Sequence, residues 1–235
     1  MKEPLIKFED VVRVYGTGEG RQTAVDHVSF SIEEGEFVVI LGQSGAGKST
    51  VLNMLGGMDT PTSGTVTVAG EIVSSMNDRQ LSDYRAKNIG FIFQFYNLLP
   101  SLTALENVSM AKSIVKDALD PVEMLRVVGL ENHRDKFPSQ MSGGEQQRVS
   151  IARALAKNPR IILGDEPTGA LDSKTGIVVL ELLQKMSLEN GSTVIIVTHN
   201  SDIAKCAGKV IHMKNGRISS IEVNEHPASV KEVNW

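Results

Sequence analysis

Three groups of residues have the types and spacing to handle phosphate. The first is Gly42-Gln43-Ser44-Gly45-Ala46-Gly47-Lys48-Ser49, followed by Thr50, which fits the pattern G-x-x-x-x-G-K-[ST]. Glycines let such a loop wrap a phosphate chain with its N–H groups turned inward, the lysine reaches the β- and γ-phosphates, and the hydroxyl ligates Mg2+. The second group is Asp165-Glu166, two carboxylates that end the apolar run Ile161 to Leu163. Asp165 is placed to hold Mg2+ through its water shell. Glu166 is placed to orient and polarise an attacking water. Alone, Glu166 reads equally well as a turn charge; beside a phosphate loop, catalysis is the stronger reading. The third group is Ser142-Gly143-Gly144-Glu145, where Ser142 caps a helix whose free N–H groups face outward toward an anion. A γ-phosphate held by Lys48 has one side open. A second helix start closes it, from the same chain or from another, and the spacing leaves both arrangements open.

Weaker candidates stand at strand ends. Gln94 follows the run Ile89 to Phe93, and His199 follows Thr193 to Thr198. Open parallel sheets place ligand groups at such carboxyl ends, although either residue alone reads more readily as a loop amide or a surface histidine. Tyr15 ends the first strand beside a Gly-rich loop. It is able to stack on a flat base, and on its own it reads more readily as cover for a sheet edge.

The elements that must position these groups follow from patterning. Phe37 to Leu41, Ile161 to Leu163 and Thr193 to Val197 are continuous apolar runs, as in strands buried on both faces. Helical patterns follow the phosphate loop to about Leu55 and run over Asn77 to Lys87 and Ser173 to Asn190, the last ended by Gly191. Strands alternating with helices imply a mostly parallel sheet. The early strands Ile6 to Tyr15 and Val28 to Ile32 imply an added antiparallel layer, and the helical block 102–158 implies an inserted lobe. Asn215-Gly216 marks a hairpin, and the polar tail from Asn224 reads as loose.

Composition narrows the function classes. The 235 residues carry a net charge of −4, so no basic excess points to nucleic acid. A single cysteine, Cys206, and five scattered histidines offer no disulfide framework and no metal-ligand spacing. The N-terminal stretch has no apolar signal region, and a reduced, cytosolic setting is the expectation. The uncharged stretch Asn88 to Leu105 is too polar and broken to span a membrane.

Taken together, and in this order, the motifs resemble the ATP-binding subunits of ATP-binding-cassette (ABC) transporters over nearly the whole chain. "GQSGAGKST" is similar to the Walker A loop, "IILGDEP" to Walker B with its catalytic glutamate, and "MSGGEQQR" to the family signature. Gln94 falls at the Q-loop position, Asp172 in the D-loop "GALD", His199 at the switch histidine and Tyr15 at the adenine-stacking aromatic. The phosphate loop alone is shared by many ATPases, whereas the signature is specific to this family. The resemblance implies an α/β fold: a P-loop NTPase (RecA-like) core over 1–93 and 159–223, an antiparallel β subdomain, an inserted α-helical subdomain over 94–158, and a tail at 224–235. It implies ATP and Mg2+ as ligands, with Ser49, Gln94 and Asp165 at the metal and Glu166, His199 and Gln94 in hydrolysis. It also implies a head-to-tail dimer, with a second copy or a close homologue, in which Ser142, Gly143, Gly144 and Glu145 act in trans.

Within the family, "FYNLLPSLTALENV" and "DEPTGALDSKTG" are most similar to MacB/LolD-type cassettes, which work with FtsX-like permeases. That likeness implies export of drug, peptide or lipoprotein-like cargo, a place on the inner face of the cell membrane held through the permease, and no nucleic-acid partner. The alternative is an FtsE-like ATPase that transmits mechanical signals to a cell-wall enzyme. Phe93, Phe95, Tyr96, Leu98 and Leu99 form a candidate docking surface for a permease helix, with Tyr96 and Leu98 expected to be partly exposed.

Overall fold

Three uninterrupted apolar runs lie side by side at the centre of a parallel sheet, because side chains that are apolar on both faces can be buried only between two layers. The computed structural model describes residues 3–232. Along the chain run β1 (Ile6–Tyr15), β2 (Gln22–Ile32), β3 (Phe37–Leu41), α1 (Lys48–Leu55), β4 (Ser63–Val68), β5 (Glu71–Ile72), α2 (Asp78–Asn88), β6 (Ile89–Ile92), α3 (Ala104–Ser109), α4 (Ala111–Ile114), α5 (Pro121–Val127), α6 (Gly143–Ala156), β7 (Ile161–Asp165), α7 (Ser173–Asn190), β8 (Thr193–Thr198), α8 (Ser201–Ala204), β9 (Lys209–Lys214) and β10 (Arg217–Val223).

The larger sheet has six strands in the order β10-β9-β3-β8-β7-β6, parallel except for the β9–β10 hairpin. Its faces divide by alternation. Val39, Ile162 and Ile196 pack into one core with α3, α5, α6 and α7, while Val38, Ile40, Leu163 and Ile195 pack into the other with α1 and the smaller sheet. That smaller sheet is antiparallel, in the order β2-β1-β4-β5. The antiparallel layer and the parallel core agree with the expected fold class.

Register decides where the functional groups sit. Leu41 lies opposite Thr198, and Asp165 opposite Val197, so the carboxyl ends of β3, β7 and β8 reach one edge together. The lobe between β6 and β7 is helical, and its helices are capped from the sequence: Thr103 with Glu106, Asp120 ahead of Pro121, and Ser142 with Glu145. Fully buried Asn107 ties the loop after Gln94 to α3, donating to the carbonyls of Leu99, Leu102 and Thr103 and accepting from the Leu99 N–H. None of the described helices is long and apolar enough to cross a membrane.

Two expectations are corrected. Strand β2 begins at Gln22, not Val28, because Gln22 pairs with Tyr15 and carries the ladder to the end of β1. The stretch from Asn224 is not loose. Asn224 N–H donates to Gly208 O at 2.8 Å, Ala228 N–H donates to Lys205 O at 3.0 Å, and Val230 is buried. The final part of that tail, 233–235, lies outside the described residues.

Candidate active site

The phosphate loop connects β3 to α1, and its shape depends on glycine where side chains have no room. Gly47 has φ +94°, and a Cβ there would stand 2.3 Å from Ala24 O. A Cβ on Gly42 would stand 2.4 Å from Met213 O. Gly47 also caps α1 and brings no side chain to its N–H groups, which leaves them for a ligand. Lys48 is buried and lies back over the loop, donating from Nζ to Gly42 O at 2.8 Å and to Gln43 O at 3.0 Å.

Asp165, the last residue of β7, accepts from Ser49 Oγ at 3.1 Å. Burial pushes its carboxyl pKa up, the Ser49 hydrogen bond pulls it down, and the Glu166 charge pushes it up again. Glu166 turns sharply out of the strand with φ +46°. Its N–H donates to Val197 O at 3.0 Å. Its carboxylate accepts from Thr198 Oγ1 at 2.9 Å and from His199 Nδ1 at 2.8 Å. An ionised carboxylate only accepts, so the proton of that histidine pair sits on Nδ1. The phenol of Tyr15 donates to Asp59 at 2.5 Å, and Arg13 lies over its ring at 4.6 Å.

These groups converge on one cleft of about 740 Å³, lined by Tyr15, Ser44, Gly45, Gly47, Lys48, Ser49, Thr50, Gln94, Asp165, Glu166 and His199. Gly42, Gln43 and Ala46 line an adjoining cavity of about 410 Å³ that shares Ser44, Gly45, His199 and Asn215 with the cleft. The cleft also includes residues to which no motif assigns a ligand role, Gln22, Thr23 and Ala24 from the extended start of β2 and Asn215 and Gly216 from the hairpin turn, together with Gly169 of the D-loop. Thr198, whose hydroxyl donates to the Glu166 carboxylate, belongs to no motif. Its one sequence signal is a hydroxyl immediately before His199 at a strand end.

Ser142, Gly143, Gly144, Glu145 and Asp172 do not line this cleft. Ser142 Oγ accepts from Glu145 N–H at 3.3 Å, and Ser142 N–H donates to the Glu145 carboxylate at 2.7 Å, a reciprocal cap on α6. That backbone hydrogen bond, with help from His133 and Lys136, holds the Glu145 carboxyl below its ordinary range. A Cβ on Gly143 would stand 2.7 Å from the Tyr96 hydroxyl, and one on Gly144 would stand 2.5 Å from Thr175 Cγ2, so both glycines also serve close packing. Asp172 caps α7, accepting from Thr175 N–H at 3.1 Å and Thr175 Oγ1 at 2.7 Å. Tyr96 and Leu98 are half-buried, as expected, and Phe95 is 76% exposed.

A buried strand, a glycine loop, a helix start and two carboxylates at the end of β7, one strand removed across β8, together define a nucleotide-binding domain of the P-loop class. Comparisons with known proteins narrow the class. Residues 25–169 match the family described as ABC transporter. A Thermotoga maritima protein, named an uncharacterized ABC transporter ATP-binding protein, is 47% identical over 93% of this chain and 95% of its own length. The macrolide export ATP-binding/permease protein MacB of Mannheimia succiniciproducens is 45% identical over 95% of this chain but only 35% of its own length. A Mycoplasma pneumoniae relative, a putative ABC transporter ATP-binding protein, is 41% identical over the full chain, which spans about half (51%) of that relative. Among solved structures, the cassette MJ0796 of Methanocaldococcus jannaschii, in a dimeric post-hydrolysis state bound to ADP and Pi, superposes with a TM-score of 0.86 at 43% identity, over 93% of this chain and 98% of that one. The chain belongs to the ABC transporter family, as one of its ATP-binding ATPase domains.

Proposed function

We propose that this domain binds ATP with Mg2+ at residues 42–50, pairs head to tail with a second copy or a close homologue, and drives an integral-membrane permease of the FtsX/MacB kind. The observation that carries the proposal is the separation of the two phosphate-facing helix starts: α1 opens into the cleft, whereas the Ser142-capped start of α6 does not line it. A site built to close on phosphate, absent from its own chain's cleft, finds its target in a partner's. MJ0796 supports this reading, because a 43% identical cassette is dimeric with ADP and Pi bound.

Each residue then has a task. The loop N–H groups and Lys48 hold the phosphates, and Tyr15 carries the base. Ser49, Asp165 and Gln94 are assigned to Mg2+; hydroxyl, carboxylate and amide oxygens are the hard donors it takes. Among the described residues no cluster of three His, Cys, Asp or Glu side chains forms a site by itself, as fits a metal completed by phosphate and water. Held by these residues, Mg2+ would supply neutralisation of phosphate charge. Glu166 accepts a proton from the attacking water, and His199 holds the Glu166 carboxylate in place and meets the γ-phosphate. Ser142, Gly143, Gly144 and Glu145 cover the partner's γ-phosphate, with Asp172 beside them. The core 1–93 and 159–223 carries the nucleotide, and the lobe 94–158 carries the signature and the exposed surface around Phe95 and Leu99, where the permease docks. The domain then works on the cytoplasmic face of the membrane, in export of drug, peptide or lipoprotein-like cargo. A tagged chain recovered from detergent-solubilised membranes is expected to bring a permease with a large extracytoplasmic domain. Recovery of ribosomal or soluble proteins alone contradicts the transport reading.

A further inference from the structure

We infer that Gln147 is a positioning residue: its buried amide holds the signature helix in register with the turn that carries Glu166 and the loop that carries Gln94. The inference rests on the function proposed above and goes beyond its assigned residues.

Gln147 sits in the second turn of α6 and is 1% exposed. Its Nε2 donates to Pro167 O at 2.8 Å and faces Phe93 O at 3.5 Å. Pro167 directly follows Glu166, and Phe93 directly precedes Gln94. Both neighbours are carbonyls, which only accept, so the NH2 end of the amide must face them. Its Oε1 is buried without a donor among the described residues. A methionine fills nearly the same volume without burying an unmatched acceptor. Packing therefore does not explain an amide here, and the donated hydrogen bonds do.

What they hold needs holding. Glu166 is a non-glycine residue at φ +46°, and the turn after it closes with Gly169 N–H donating to Glu166 O at 3.0 Å. Left-handed backbone of this kind persists only where its surroundings constrain it. On the same helix, Arg153 donates to Asn97 O at 2.6 Å and Tyr96 O at 3.0 Å, where φ is +49° and +36°. Helix α6 thus grips the Gln94 loop on both sides and the Glu166 turn on one. The Ser142 end of this helix is assigned to the partner's ATP, so Gln147 links the site this chain completes to the site that holds its own nucleotide.

The test is Gln147→Met in the full chain, measured beside the unaltered protein. Turnover of the unaltered chain tests the proposed function; the ratio of variant to unaltered turnover tests Gln147. ATP affinity is expected to stay within about twofold while kcat falls about tenfold or more, since misplaced catalytic groups cost rate and not nucleotide binding. A kcat within about twofold of the unaltered chain overturns the inference, and so does a loss confined to ATP affinity. Gln147→Glu gives a second reading should the methionine variant fail to fold. Its protonated carboxyl still donates to Pro167 O, and its ionised form repels both carbonyls. Its kcat relative to the unaltered chain is expected to fall as pH rises, and a flat ratio overturns the inference.

Discussion

The N–H and the carboxylate of Glu166 are both held by the end of β8 and the residue after it. Val197 O receives its N–H, and the Thr198 hydroxyl and the His199 ring donate to its two carboxylate oxygens. The residue proposed to activate water is thereby held in one orientation, and such preorganisation is where enzymes gain most of their rate. Glu166→Gln is expected to leave ATP binding intact and slow hydrolysis by about 100-fold, or about 3 kcal/mol, read in a steady-state phosphate-release assay. Lys48→Ala acts differently. It removes the cation that the loop holds ready on Gly42 O and Gln43 O, so ATP affinity itself should weaken, and a binding titration separates the two variants. Glu166 and Lys48 were legible from motif and spacing. Thr198 was not, because its role comes from the pairing of β7 with β8, which no local pattern encodes.

The strand–loop–helix elements were readable because their periods are strong, and their boundaries were less so. Strand β2 runs past its apolar stretch because it follows the β1 ladder, and that extension brings Ala24 over the phosphate loop. The packed tail is anchored by Val230 and Ala228, two small apolar residues in a mostly polar stretch and too weak a signal to read. The Ala24 contact predicts the cost of Gly47→Ala. The left-handed φ alone costs about 1–3 kcal/mol. A Cβ 2.3 Å from Ala24 O adds to it, so a lowered melting temperature together with lost ATP binding is expected. The start of α6 carries a pH dependence. The folded Glu145 pKa lies below the ordinary 4.5, so its stabilisation is present above that value and is lost as pH falls through the folded pKa. Amide exchange in the first turn of α6 should rise over that acidic range. Glu145→Gln, which keeps a capping box, should flatten the dependence.

Above the single chain, ATP is the glue of the proposed pair, because a ligand held between two subunits favours association by mass action. The sequence placed the signature near phosphate without saying whose. The fold answers half of that, since Ser142 to Glu145 do not line the cleft that gathers Lys48, Asp165 and Glu166. The remaining half is the central claim, that the signature closes on a partner's nucleotide. The most direct measurement is sedimentation of Glu166→Gln with ATP, alone and with Ser142→Arg added. A dimer in the first case, and a monomer that still binds ATP in the second, is the predicted result. A dimer that forms equally well with Ser142→Arg, or one that forms without nucleotide in both, contradicts it.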